Sequence, residues 1–286
     1  VIRLYDSQAL RLKRAFVSVP LPKGKVPGVI ALSVEPREIQ LKGKFDYNQL
    51  LLTAVKGNGE SYDASRNFTF EVDSDVVKVS KSGMVEPVKD GEATLTIVHK
   101  NQSSTLSVRV AGVGDDFTPD YVRDVMPVLS KLGCNAGTCH GSKDGKNGFK
   151  LSLRGYDPIY DMRAFTDDLA SRRVNIAAPD NSLILLKSSA AVPHGGGQLT
   201  KMGEDYYEIL KGWIANGAKL DTRTARVASI ELLPRNSVVQ KIGDQQQMRV
   251  IATYANGEKR DVTAESFIET GNSDIATSDK TGLVST

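Results

Sequence analysis

The segment "SDVVKVSKSGMV" at 74–85 returns as "SDIATSDKTGLV" at 273–284. Two shorter stretches return with it. "ALSVEP" (31–36) matches "SIELLP" (229–234), and "LLTAVKGNGESYDAS" (51–65) matches "VIATYANGEKRDVTA" (250–264). A sequence repeated in the same order is one structural unit used twice, so the chain carries two copies of one module on either side of a different middle segment. In the first copy, strand-like runs alternate apolar and polar residues. Phe68, Phe70 and Val72 share one face of "NFTFEVD", Leu95 and Ile97 one face of "ATLTIVH", and Leu106, Val108 and Val110 one face of "TLSVRV". "LLLTAV" (50–55) is continuously apolar, as in a strand covered on both faces. "KGNGES", "KSGM", "VKDGE" and "KNQSS" supply the turns. Short strands at such spacing predict an all-β sandwich. The second copy stops just after Gly282, where the first has three more strand-like runs, so this reading expects its β domain to be incomplete.

The middle segment has a helical period instead. "TPDYVRDVMPVLSKLG" (118–133) opens on a Thr-Pro start signal and places Val122, Val125, Val128, Leu129 and Leu132 at helical spacing, with Pro127 dividing it. "DPIYDMRAFTDDLASRR" (157–173) and "DNSLILLKSSA" (180–190) read as a second helix and a short third. "EDYYEILKGWIANGAKL" (204–220) is a strongly periodic last helix that Gly217 terminates. The resulting division is 1–27, a linker or docking segment; 28–112, the first β-sandwich; 113–223, a small helical domain; and 224–286, the second, incomplete β domain.

Both cysteines and one of three histidines lie in "CNAGTCHG" (134–141). Cys134, Cys139 and His140 in this order admit three chemistries. One is covalent haem attachment, with the histidine after the second thiol beneath the iron; the others are a disulfide loop and a metal clip. A small helical domain with long Gly-rich loops has little core of its own and gains from any of the three. In the haem reading His140 is the proximal ligand and His194, in "VPHGGGQ", the distal one. Met202 is the rival distal ligand, Phe149 and Trp213 are apolar walls, and Arg154, with Arg172, Arg173 and Lys150, faces the propionates. His99, at the end of a β run, is not expected to be a ligand.

Two resemblances follow from these motifs. The repeats resemble bacterial Ig-like domains of group 2 in the opening strand that ends in Pro, the Gly-Asn-Gly-Glu turn and the Ser-Asp…Ser-x-x-Gly-x-Val hairpin. The middle segment, through "CNAGTCHG", "NGFKLSL" (147–153), "SLILL" (182–186) and "WIANGA" (213–218), resembles the cytochrome c-like haem-binding domain of large planctomycete secreted proteins. That resemblance implies a multidomain fold: an all-β Ig-like sandwich, a small all-α cytochrome c-like domain, and a second, truncated Ig-like β domain. It implies one covalent haem c, electron transfer rather than enzymatic catalysis, a redox partner protein, and a periplasmic or otherwise extracytoplasmic location. The chain departs from the family in its Cys-x4-Cys-His spacing and in His194 standing where the family has Arg-Met-Pro-Pro.

Other function classes are set aside. A net charge of +3 gives no basis for nucleic-acid binding, and no apolar run reaches the length of a membrane span. No dinucleotide fingerprint, P-loop, nucleophile elbow or zinc-protease motif occurs. The chain opens on Val1 without an initiator Met and reads as a piece of a longer protein whose downstream domains are partners; a homodimer is a further expectation. Two competing functions stand beside electron transfer. One is a non-redox adhesion or surface-binding module with a disulfide- or metal-stapled Cys/His loop. The other is a haem enzyme or gas sensor with an exchangeable sixth ligand.

Overall fold

Alternating apolar residues become strands wherever the first copy has them. The computed structural model describes residues 28–168, 172–239 and 241–286; the expected linker or docking segment 1–27 lies outside them. The first module runs β1 (Val29–Glu35), β2 (Glu38–Lys42), β3 (Asn48–Gln49), β4 (Leu51–Lys56), β5 (Ser61–Asp63), β6 (Thr69–Val72), β7 (Val77–Val79), β8 (Met84–Pro87), β9 (Gly91–His99) and β10 (Gln102–Ala111). They form three sheets, ordered β1-β4-β5, β2-β10-β9-β6 and β3-β8-β7. β10 pairs antiparallel with β9 and parallel with β2. Leu52 and Ala54 from β4 meet Leu95, Ile97, Leu106 and Val108 from β9 and β10, and all six are buried. The period-two alternation therefore points one face of each sheet into a shared core.

The second module runs β11 (Val227–Leu233), β12 (Gln245–Gln247), β13 (Arg249–Tyr254), β14 (Lys259–Asp261), β15 (Thr277–Ser278) and β16 (Leu283–Ser285), in two sheets ordered β11-β13-β14 and β12-β16-β15. The equivalence with the first module is one residue out of the register expected from sequence. Leu52, not Leu51, corresponds to Val250: the Leu52 N–H donates to Ser65 Oγ and the Val250 N–H to Thr263 Oγ1, at 2.9 Å each. Such a slip matters because it sends every side chain to the other face of the strand.

The two copies bury the same face under different covers. Ala54 is covered by the first module's own second sheet. Its equivalent Ala252, with Tyr254 and Val262, faces Val122 and Pro127 of the middle segment across a cavity of about 170 Å³. Where no cover reaches, apolar residues stay open: Val29 is 2% exposed but Val227 is 50%, and Val76 is 5% exposed but Ile275 is 60%.

Among the described residues the middle segment holds four short α-helices: α1 (Met126–Lys131), α2 (Pro158–Thr166), α3 (Leu183–Ser188) and α4 (Asp205–Ala215). A π-helical turn, Tyr121–Val125, leads into α1. Asp120 caps it by accepting the N–H groups of Val122 and Arg123. α4 is the longest at 11 residues and buries Tyr207, Ile209, Leu210, Trp213 and Ile214. Gly217, with φ of 90°, follows its end.

The expected fold class does not hold. The described chain is mostly β-sheet, and its helices are brief pieces between long hydrogen-bonded turns, not an all-α cytochrome c-like domain between Ig-like domains. Pro127 divides the 118–133 run, so that α1 begins only at Met126. Pro158 and Pro179 instead start α2 and a single 3-10 turn, and α2 ends at Thr166, short of the expected 173.

Candidate functional site

The Cys134–His140 loop folds on its own backbone. The Cys139 N–H donates to Ala136 O at 2.9 Å, the His140 N–H to Cys134 O at 3.0 Å, and the Gly141 N–H to Ala136 O at 3.0 Å. The segment 149–154 holds the loop from outside. Leu151 N–H donates to His140 O at 2.8 Å, and Arg154 N–H to Asn135 O at 3.1 Å. Gly141 is required here, because a Cβ on it would lie 2.1 Å from Asn135 O. Cys134 packs against the helical core, and burial, reinforced by the neighbouring Cys139, pushes its thiol up to about 12. Cys139 is half-buried, and both thiols are free. His140 Nδ1 is 3.0 Å from Phe149 O, and its ring lies 4.7 Å from the Phe149 ring. Burial lowers the His140 value from the ordinary imidazole range.

The remaining expected site residues disperse. His194 Nδ1 turns back onto Gly197 O within its own turn, at 3.1 Å. Met202 is 69% exposed. The exposed Arg154 lies over the Phe267 ring of the second module, 4.7 Å from its centroid. Arg173 is buried over Phe149, and its guanidinium donates to Ala164 O and Gly148 O; Arg172 and Lys150 are exposed. His99 is buried in the first module, bonded to Tyr62 and to Asn67 O.

These residues do not fit a haem. The apolar centre of the segment is occupied by the chain's own aromatics: Tyr121, Phe165 and Trp213 are each 1% exposed, with Tyr121 and Phe165 ring centroids 5.3 and 6.0 Å from Trp213. Phe149 extends the stack to Phe165 at 5.1 Å. Among the described residues no group of three or more His, Cys, Asp or Glu side chains converges to hold a metal ion. The haem c cofactor, the iron site and the electron-transfer function expected from sequence are therefore withdrawn, and the metal-clip form of the Cys/His loop with them.

The dense polar chemistry lies elsewhere, at the junction of the three parts. Two arms of it are reciprocal. The Gln49 N–H of the first module donates to Asp261 of the second at 2.9 Å, and the Gln247 N–H of the second donates to the equivalent Asp63 of the first at 2.5 Å. Arg66 grips Gln247 Oε1 through Nε and Nη2, while Arg249 reaches Asn48 Oδ1 and Asp261. Residue i meeting j′ while j meets i′ is the pattern of an isologous, two-fold interface, here inside one chain. The third arm adds the middle segment. Arg260 bridges Asp124 and Glu265 at 3.0 Å each. The Tyr47 hydroxyl donates to Glu265 and accepts from the Ala264 N–H. Lys131 donates to Ser266 O and Lys280 O. Burial raises the Glu265 carboxyl, against the pull of Arg260. The sequence marks none of these as special; the one available signal was the recurrence of Gln and Asp at equivalent places in both repeats.

No protein-family description matches the chain, and no curated protein does. Solved structures with a partial similarity to the chain include domains 4 and 5 of the S-layer protein SbsC, at 19% identity and a TM-score of 0.27 over 30% of this chain and 54% of that one. Domains 5–6 of the same protein match at 19% identity and 0.26, over 32% and 49%. A putative alpha-galactosidase from Bacteroides fragilis matches at 14% identity and 0.20, over 42% and 27%. The chain spans about half the length of the first of these structures. Likenesses this partial assign no activity. With no family description matching and no haem- or metal-holding group among the described residues, the resemblances to Ig-like group 2 and cytochrome c-like domains are not upheld.

Proposed function

We propose that the chain is a non-redox structural module of a surface protein, in which two β modules and the middle segment are fixed at one geometry to present or space other polypeptide. The observation that carries this reading is the reciprocal buried lock, Gln49–Asp261 and Gln247–Asp63, with Arg260 tying in Asp124. Two β modules on a flexible linker need no such contacts. Buried hydrogen bonds between charged and neutral groups fix one register, because any other leaves a buried carboxylate or guanidinium unpaired. The reading places the chain outside the cytoplasm, at the cell surface. Among the described residues no helix is long and apolar enough to cross a membrane.

Scanning calorimetry of the full chain tests the mechanical part. A single transition, with equal calorimetric and van't Hoff enthalpies, is expected. Two separable transitions would show modules that are merely tethered and would remove the basis of the proposal. Accessibility of the chain to an impermeant label on intact cells tests the location.

A further inference from the structure

We propose that Cys134 and Cys139 are a disulfide-forming pair, which an external disulfide oxidises to a covalent staple across the "CNAGTCHG" turn. The hydrogen bond from His140 N–H to Cys134 O spans 3.0 Å. The nitrogen lies one residue boundary from the Cys139 Cα and the oxygen two bonds from the Cys134 Cα. With standard bond lengths the two Cα atoms are therefore held within about 8 Å. Disulfides need about 4.4–6.8 Å, a window inside that bound. The turn is pinned on both sides, by the Ala136 carbonyl within it and by Leu151 and Arg154 outside it, so closure orders little that is not already ordered.

Both cysteines are partly buried, but only Cys134 packs against the helical core with its thiol pushed up, which sets the order of steps. Cys139 is the entry point. Its thiolate attacks one sulfur of the external disulfide and expels the first reagent thiolate, giving a mixed disulfide. Cys134 then loses its proton and displaces the second reagent thiolate, forming the Cys134–Cys139 bond. Two protein thiols are oxidised, one external disulfide is reduced to two thiols, and the two protons pass to the departing thiolates. The high Cys134 value makes the second step the slow one, since the attacking thiolate there is costly to form. Formation of the bond is a property of the turn and does not rest on the surface reading; its persistence in the cell requires an oxidising compartment.

The full chain is equilibrated with oxidised and reduced glutathione, acid-quenched, and analysed by intact mass and by alkylation in denaturant. The expected product lacks two hydrogens, carries no alkylatable thiol, and unfolds several degrees higher than the same sample after reduction with dithiothreitol. Cys139→Ser is expected to leave one alkylatable thiol and a midpoint that dithiothreitol does not move. Two alkylatable thiols at every glutathione ratio, or a lasting glutathione adduct on Cys139, would overturn the assignment. Because the thiol count is read in denaturant on the wild-type chain, it does not depend on how well the variant folds, and it is independent of the calorimetric test of the module lock.

Discussion

At the residue scale, Arg260 has the most to lose. Its guanidinium bridges Asp124 and Glu265, and all three side chains are largely shielded from water. Removing one partner of a buried ionic group strands the others, so Arg260→Met is expected to cost about 3–5 kcal/mol near neutral pH. The loss depends on pH. Glu265 has a folded-state value above its ordinary 4.5. A carboxyl raised in the folded state gives its full contribution below the unfolded value, and that contribution is lost as pH rises through the folded value. Without Arg260 the folded value rises further. The gap between variant and wild type should therefore widen from about pH 4.5 toward neutrality in urea denaturation. A gap of constant size would mean that Glu265 and Arg260 do not share a buried site. Little of this was legible in the sequence: Tyr47, Asp124, Arg260 and Glu265 come from three separate segments, and no local pattern joins them.

At the scale of elements, the sequence is read well where a pattern is local and poorly where a competing backbone signal intervenes. α4 follows from the periodicity of Tyr206 to Ile214, since nothing in that stretch interrupts a helix. The expected helix 157–173 shortens to Pro158–Thr166, and the expected 118–133 helix begins as a π-helical turn capped by Asp120 rather than Thr118. "CNAGTCHG" is the instructive miss. Residue types and order suggested haem attachment, but what sets the loop's structure is its turn hydrogen bonding and the exclusion of any side chain at Gly141. Gly141→Ala places a Cβ 2.1 Å from Asn135 O and 3.0 Å from Ala136 O, both backbone atoms that cannot swing away. The turn must open, at an expected cost of about 1–3 kcal/mol. The measurement is a lowered denaturation midpoint together with faster alkylation of Cys134 in the native protein. An unchanged midpoint and an unchanged alkylation rate would show that the turn is not packed as described.

At the scale of the whole molecule, the internal repeat was visible in sequence, but the relation between its copies was not. Sequence similarity says that two modules share a fold; it says nothing of which edges meet. The lock arises because the same positions, Gln49/Gln247 and Asp63/Asp261, are used by both copies toward each other, and because the second module borrows a helix where the first uses a sheet. Amide hydrogen exchange at Gln49 and Gln247 tests this account most directly, since both N–H groups donate across the module boundary rather than within a strand ladder. If the three parts are one locked unit, these two amides exchange only through the opening that also exposes core amides such as Leu95 and Ile97, with protection equal to theirs. Exchange at Gln49 and Gln247 that is orders of magnitude faster than in those strands would show the modules separating while each remains folded, and would contradict the account.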